Sequence, residues 1–575
     1  MQIKDKTVIG LVIEDMNIDF AGEIIRGALM GMPKNKDVHL VVISGKHDET
    51  TDVSDPEYRY KKVYNMVYHL ENRCRFDGLI VTIAGIAGSD GVLPFIEGTD
   101  NFKKLPKVYI ATSPDRTPYV NYDNEKGIRE AIDYLVNVNG YSRICMLGGR
   151  RDNPDAVVRR EIFIKSLKEN HVRFDESMYE PSDMSFRSEK AATNLLRRNP
   201  DMQAVFCVND AAAVGLYNVF KNRGIVPGKD VLVFGFDNTN MTGDMNPTLA
   251  SVGTYGGNMG QIAMTKVLDL IDGKEVTSVT IPTRLYGKES LDYESLDFVA
   301  TEMARGNKEL IGRMFDECYY RYSSSERSRE AVDLKRLNYE IISRMLTAAR
   351  QRYISKDEFG EISRMIDVFF ANGAIEYTDS QKFIYSIGKL QSSMFIAQKS
   401  VAASVMINRL FLRMKDMAIR SISERRNFDN QMNFRGRSGV QEFLIEVGDD
   451  RLDKNEVREK LIHSFDKLGF TEASLLLFDQ PVITERWQDS DIPDIIRLRC
   501  VIRHGELYVI PEGRQECLVS NIFMRDEVMS SVRGHIALPV TFGHALYGYL
   551  VCGTDYGDLQ RAEYIVIQIG RVLHG

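Results

Sequence analysis

Nine histidines and seven cysteines are the residues of this 575-residue chain best suited to metal or nucleophilic chemistry, and their spacing supports neither. The histidines do not pair at metal-ligand spacing, and no H-E-x-x-H string occurs. Cys74, Cys145, Cys207, Cys318, Cys500, Cys517 and Cys552 are scattered, odd in number and free of C-x-x-C pairs, as reduced thiols are. The strings G-x-G-x-x-G, G-x-x-x-x-G-K-[ST] and G-x-S-x-G are also missing, which argues against phosphate-loop chemistry and serine hydrolysis. Carboxylates could still do acid/base work in a cleft, but binding accounts for them with fewer assumptions. The expectation is a binding protein with no metal, no cofactor and no enzymatic reaction.

Such groups need elements to hold them. Between Thr7 and about Leu291, β-branched apolar runs alternate with amphipathic stretches. The runs are Val8–Ile13, His39–Ile43, Gly78–Ile83, Lys107–Ile110, Arg143–Leu147, Ala204–Val208 and Val231–Phe234. Runs that are apolar on both faces read as strands of a parallel sheet covered by helices, such as those expected over Asn124–Asn137 and Ala211–Asn222. The region is too long for one core, so two doubly wound α/β lobes are expected, with a cleft at the carboxyl ends of their strands. Residues just past each strand are then the ones to inspect.

From Asp292 to Gly439 the strand signals vanish and the sequence turns helical. Ile387, Leu390, Met394, Val401, Val405, Leu412, Ile419 and Ile422 follow a 3-4 spacing interrupted by Gln398, Asn408 and Lys415, and Met406, Leu410, Met414 and Met417 broaden that face. This reads as a helix buried in a local bundle or as a dimer helix that passes a signal between domains. Strand signals return in residues 440–575, where an amphipathic helix over Lys454–Leu468 leads to Ala473–Phe478, Arg497–Ile510 and the hairpin pair His535–Thr541 and Leu546–Cys552, closed by a helix over Asp558–Leu573. The expected organisation is a sensor over 1–291, a helical connector over 292–439 and an α+β domain over 440–575.

A formal charge of −7 gives no broad basic field for nucleic acid. No stretch has about 18 uninterrupted apolar residues, and the start lacks a signal-type apolar core, so a cytoplasmic protein with no membrane partner is expected.

Across the first 290 residues a set of strings runs in order: Ile9-Gly-Leu-Val-Ile13 with Phe20 and Ile24-Ile-Arg-Gly27, Phe76-Asp-Gly-Leu-Ile80, Val120-Asn-Tyr-Asp-Asn124, Gly140-Tyr-Ser-Arg-Ile144, Val208-Asn-Asp210, Val233-Phe-Gly-Phe-Asp-Asn238, Asn246-Pro-Thr-Leu249 and Ile281-Pro-Thr-Arg-Leu285. In this order they resemble the effector-binding domain of the lactose- and galactose-repressor (LacI/GalR) family, a two-lobed periplasmic-binding-protein-like fold. The resemblance implies that Asp123, Arg159, Asn209 and Asp237 contact a small effector, with Phe20 as an aromatic wall. Carboxylates that accept and a guanidinium that donates suit the hydroxyls of a sugar-like metabolite. Asp237 and Asp123 could instead brace turns, and Asn209 could cap the helix that begins near Ala211. Ile162 stands where the family usually has glycine, which would reshape the pocket.

The family ordinarily places a helix-turn-helix before the first sensor strand, and only six residues precede Thr7, so its usual DNA-binding device is expected to be missing. Ala537-Leu-Pro-Val-Thr-Phe-Gly543 and Leu546-Tyr-Gly-Tyr-Leu550 resemble the last hairpin of a GAF-type sensory domain. The expected function is a homodimeric, effector-responsive regulator. Two alternatives stay open. One is a transcriptional regulator that contacts DNA through another surface, such as the basic run Arg413, Lys415, Arg420, Arg425, Arg426, Arg435 and Arg437. The other is the sensor half of a diguanylate-cyclase-type signalling protein without its catalytic module.

Overall fold

Strands β1 (Thr7–Ile13), β2 (Val38–Ser44), β3 (Gly78–Thr82) and β4 (Lys107–Ile110) form where the sequence is apolar on both faces, and they pair in parallel in the order β4-β3-β1-β2. β5 (Tyr119–Tyr122) adds to β4. In the computed structural model, residues 6–574 are described except 17–18, 34, 47–55, 83–91, 113–115, 152, 255–257, 292–297, 320–332, 379, 448–453, 485–487, 489, 530–531 and 555.

A second sheet takes β6 (Ile144–Gly148), β7 (Tyr179–Pro181), β8 (Ala204–Cys207), β9 (Leu232–Phe236) and β10 (Ala250–Thr254). The chain then returns: β11 (Val279–Ile281) lies beside β5 in the first sheet, and β12 (Thr283–Tyr286) runs antiparallel to β10 in the second. Three crossings therefore join the lobes, after Tyr122, after Thr254 and at Pro282, the single residue between β11 and β12.

The first and third crossings are tied together. Asp123 N donates to Ile281 O at 2.9 Å, and Thr283 Oγ1 donates to Asp123 O at 2.6 Å while accepting from Gly127 N at 3.1 Å. The middle crossing leads to helix Met259–Ile271, which packs on helix Asp19–Gly31 and on β3 and β4. Asn258 caps that helix and donates to Glu23 O.

The C-terminal strands are β13 (Glu472–Ile483), β14 (Ile495–Arg503), β15 (Glu506–Val509), β16 (Glu516–Leu518), β17 (Gly534–Phe542) and β18 (Ala545–Gly553). They pair antiparallel in the order β17-β18-β13-β14-β15, with β16 also on β14. The expected hairpin is present: Phe542 faces Ala545 across the two-residue turn Gly543-His544.

This array is not a separate sheet. β17 pairs in parallel with β2, from Leu40 opposite Gly534 to Ile43 opposite Ala537, so the first lobe and the C-terminal strands form one twelve-stranded sheet. The cause lies in the two strands: every residue of β2 and nearly all of β17 are buried, so neither could serve as a solvent edge, and each satisfies the other's backbone. At this seam the His39 and His535 rings lie 5.8 Å apart. Helix Pro56–Tyr64 packs over β17, and helix Tyr556–His574 covers β17 and β18.

Residues 1–293 and 433–575 make one compact unit and residues 294–432 another. The second unit is helical, with a core that includes Phe315, Ile341, Met345, Ile366, Phe369, Leu410 and Met414. The run expected as one helix over Ile387–Ile422 is two, Ser380–Ala397 and Val401–Val447. The break falls at Gln398–Ser400 because the Ser400 hydroxyl accepts from Ala403 N at 3.1 Å, as an N-cap does, and starts a new helix.

Candidate functional site

Asn153 starts helix Pro154–Glu169 by accepting from Ala156 N at 3.0 Å, with Pro154 in the first turn. That places Arg159 one and a half turns in, aimed at the carboxyl ends of β8 and β9, with 2% of its surface exposed. Its guanidinium is held from every side. Nε donates to Asn124 Oδ1 at 3.1 Å, Nη1 to Val208 O at 2.7 Å, and Nη2 to Tyr122 Oη at 2.9 Å and to Asp237 Oδ1 at 3.3 Å. The guanidinium carbon lies 3.6 Å from the centroid of the Phe236 ring. Burial works against the charge, but Tyr122, Asp237 and Asp155 around it hold the group protonated.

These partners come from both lobes. Tyr122 ends β5 of the first sheet and Asn124 lies on the crossing, whereas Val208, Phe236 and Asp237 follow or end β8 and β9 of the second. Tyr122 Oη donates to Asp155 Oδ2 at 2.7 Å, and Asn124 Nδ2 to Asp155 Oδ1 at 3.3 Å, so Asp155 fixes both.

Asp237 has φ +98°, a backbone conformation that non-glycine residues avoid, and Asn238 follows at +48°. Such strain costs about 1–3 kcal/mol and persists where the surroundings impose it, commonly at functional sites. Here Asp237 N donates to Val252 O at 2.8 Å, and the turn is braced from beneath by Asp210. The buried Asp210 carboxylate accepts from Thr239 N at 2.8 Å, from Thr239 Oγ1 at 3.2 Å and from Ser251 Oγ at 2.6 Å. Burial and the neighbouring Asp237 push Asp210 up to about 7. Burial also raises Asp237, against the pull of Arg159.

The five expected residues are not all placed alike. Arg159 and Asp237 come together. Asp123 sits on the first crossing, with its carboxylate accepting from Glu125 N at 2.8 Å. Asn209 caps helix Asp210–Arg223, its Oδ1 accepting from Ala212 N at 2.9 Å and its Nδ2 donating to Met184 O at 2.9 Å. Phe20 lies in the first turn of helix Asp19–Gly31, half-buried against the hydrophobic core. Ile162 is half-buried against the same core. Tyr122, Asn124, Asp155 and Asp210 were not anticipated as members of the group, although three of them lie in or beside the strings that drew attention to the region.

A second polar group stands at the carboxyl ends of β1 and β2. Lys46, with 8% of its side chain exposed, places Nζ 2.9 Å from Asp15 Oδ1 and 2.8 Å from Glu563 Oε1 in helix Tyr556–His574. Tyr68 Oη donates to Ile13 O at 2.9 Å, and Lys46 N donates to Asn65 Oδ1 at 2.7 Å, which fixes the backbone at Lys46. Among the described residues no group of three or more His, Cys, Asp or Glu is arranged to hold a metal ion, and no helix is long and apolar enough to cross a membrane.

Residues 132–291 match the periplasmic binding protein-like domain family. The HTH-type transcriptional repressor CytR of Escherichia coli (strain K12) is 28% identical over 209 residues, which are 35% of this chain and 61% of that protein. The HTH-type transcriptional regulator CelR of Thermobifida fusca is 28% identical over 193 residues, 32% of this chain and 56% of its own. The chain thus spans about three fifths of the length of these relatives. Among solved structures, a transcriptional regulator CelR-cellobiose complex aligns over 50% of this chain and 86% of its own at 22% identity and a TM-score of 0.41. A Lac repressor dimer bound to operator and the anti-inducer ONPF aligns over 50% and 95% at 20% identity and a TM-score of 0.40. The N-terminal part of the chain is thus similar to LacI/GalR-type effector-binding domains, and its residues 132–291 match the periplasmic binding protein-like family.

Proposed function

We propose that the chain is a cytoplasmic, non-enzymatic regulator that binds a small polar, sugar-like effector between its two lobes and relays their closure, as a homodimer, to a transcription or signalling partner. The observation that carries this reading is the buried Arg159 guanidinium. It is held by residues of both lobes beside a strained carboxylate, at the carboxyl ends of the strands, where open α/β sheets take their ligands. An Asp237 oxygen accepts and the guanidinium donates, a set that matches hydroxyl groups, and the Phe236 and Tyr122 rings offer apolar faces. Asp123 lies at the crossing, and Phe20 and Asn209 complete the proposed lining. The relatives support the class, since CelR is named in a complex with cellobiose.

Relay follows from the twelve-stranded sheet. Because β2 and β17 share a ladder, the C-terminal strands, read here as a GAF-like scaffold, move with the first lobe as the cleft closes. The switch requires the effector to bind the closed form better than the open one, typically by about 1–3 kcal/mol. Isothermal titration calorimetry against a panel of sugars and nucleosides tests the site. Binding that Asp237→Ala and Arg159→Ala abolish supports it, and binding that survives both substitutions refutes it.

The alternative in which the basic run contacts DNA is less favoured by the side chains described. Arg413 is paired with Asp367 at 2.6 Å and Arg420 with Asp416 at 3.0 Å, and Lys415 donates to Gln391. The side chains of Arg425, Arg426, Arg435 and Arg437 lie outside the described residues.

A further inference from the structure

Helix Val401–Val447 carries two apolar stripes with different fates. Ile407, Leu410, Phe411, Met414 and Ala418 are buried in the core of the helical unit. Val401, Val405, Leu412 and Ile419 are instead 83%, 50%, 65% and 67% exposed on the single chain. Burial on one side therefore explains only one of the stripes.

The exposed stripe has a strict period. Val405, Leu412 and Ile419 recur every seventh residue, a repeat from which a straight α-helix drifts by about 20° per heptad and which stays on one line only when helices supercoil around each other. Of the polar residues between them, Gln391 of helix Ser380–Ala397 engages two, donating to Asn408 Oδ1 at 3.3 Å and accepting from Lys415 Nζ at 3.2 Å, while the exposed Arg409 and Asp416 flank the stripe. On helix Ser380–Ala397 itself, Phe395 and Ile384 are 73% and 68% exposed.

At roughly 100–150 Å² each, these six side chains offer on the order of 800 Å², the share that one partner contributes to a standard protein–protein interface. That is a large apolar area for one helix pair to present to water. We propose that this face of the helix pair Ser380–Ala397 and Val401–Val447 is the interface between two copies of the chain, with Val405, Leu412 and Ile419 at its centre. A second copy carries the same seven-residue line and so meets it along its full length. The proposal supplies an interface for the homodimer of the preceding reading and rests on that part of it alone, because effector binding is measured separately by calorimetry.

Analytical ultracentrifugation of the full chain at low micromolar concentration provides the test. The unaltered chain is expected to be a dimer, and Leu412→Asp and Ile419→Asp to be monomers with unchanged far-ultraviolet circular dichroism, dimer dissociation being at least 100-fold easier. Under mild oxidation Leu412→Cys is expected to form a cross-linked dimer, against a silent background because the seven native cysteines are all buried. A monomeric unaltered chain, a dimer untouched by both aspartates, or a dimeric Leu412→Cys chain that does not cross-link overturns the proposal.

Discussion

Lys46 Nζ stands 2.8 Å from Glu563 Oε1, so a residue just past the second strand is ion-paired to helix Tyr556–His574. Both side chains are largely shielded from water, which makes this pair worth more than a surface bridge. Lys46 also holds Asp15 after β1. The pair therefore ties the strand ends of the first lobe to the helix over β17 and β18.

Glu563→Gln removes one of the two carboxylates around Lys46 and is expected to destabilise the unit by about 2 kcal/mol. The loss should appear in urea unfolding and as faster amide exchange in β2 and β17. Unchanged exchange there would mean that the ladder alone holds the seam.

Arg159→Ala leaves Asp237 buried without its cation, and buried pairs broken in this way lose about 3–5 kcal/mol. Chemical denaturation measures that loss. Arg159→Met, which keeps most of the volume, should recover much of the stability without recovering effector binding.

Gly235→Ala tests the brace under Asp237. A Cβ at this position would collide with Asp210 Oδ1, so Asp210 must move and release Thr239. A loss of about 2 kcal/mol or more is expected, together with weaker effector binding even though Gly235 carries no polar side chain. Calorimetry on the folded variant separates the two effects.

Two buried groups give opposite pH dependences. Asp210, pushed up to about 7, holds more protons folded than unfolded between about pH 4 and 7, so its contribution falls as pH rises through that window, by up to about 4 kcal/mol. His535, pushed down to about 3 mainly by burial, holds fewer protons folded between about pH 3 and 6.5, so its contribution falls as pH drops, by a similar amount. His39, also lowered mainly by burial, acts in the same sense. Between pH 5 and 6.5 the slopes oppose each other and the unaltered chain should vary little. Asp210→Asn is expected to become steadily more stable as pH rises across this range, and His535→Leu steadily less. Denaturant midpoints at four pH values check the crossing.

The parallel strands were legible because Val8–Ile13, Val38–Ser44 and Gly78–Thr82 are apolar on both faces and lie between helical stretches. β5, β11 and β12 were not, being three or four residues long and partly exposed, with too few positions to show a period. The β2–β17 ladder joins segments far apart in the chain and leaves no local mark beyond two strands that are buried on both faces. Ser400 reads as a helix cap only once the helix beginning at Val401 is seen, so the stretch resembled one continuous stripe. At the site, Arg159 and Asp237 were legible through the resemblance, but Asp155 and Asp210 act on other protein groups, and nothing in their spacing distinguishes a brace from a surface carboxylate.

Because β17 supplies the outer neighbour of β2, a recombinant fragment that stops at Leu291 would keep β2 but leave its amides and carbonyls open along a largely apolar ribbon. Such a fragment is expected to aggregate through that strand, and any ligand screen built on it would report on self-association as much as on recognition.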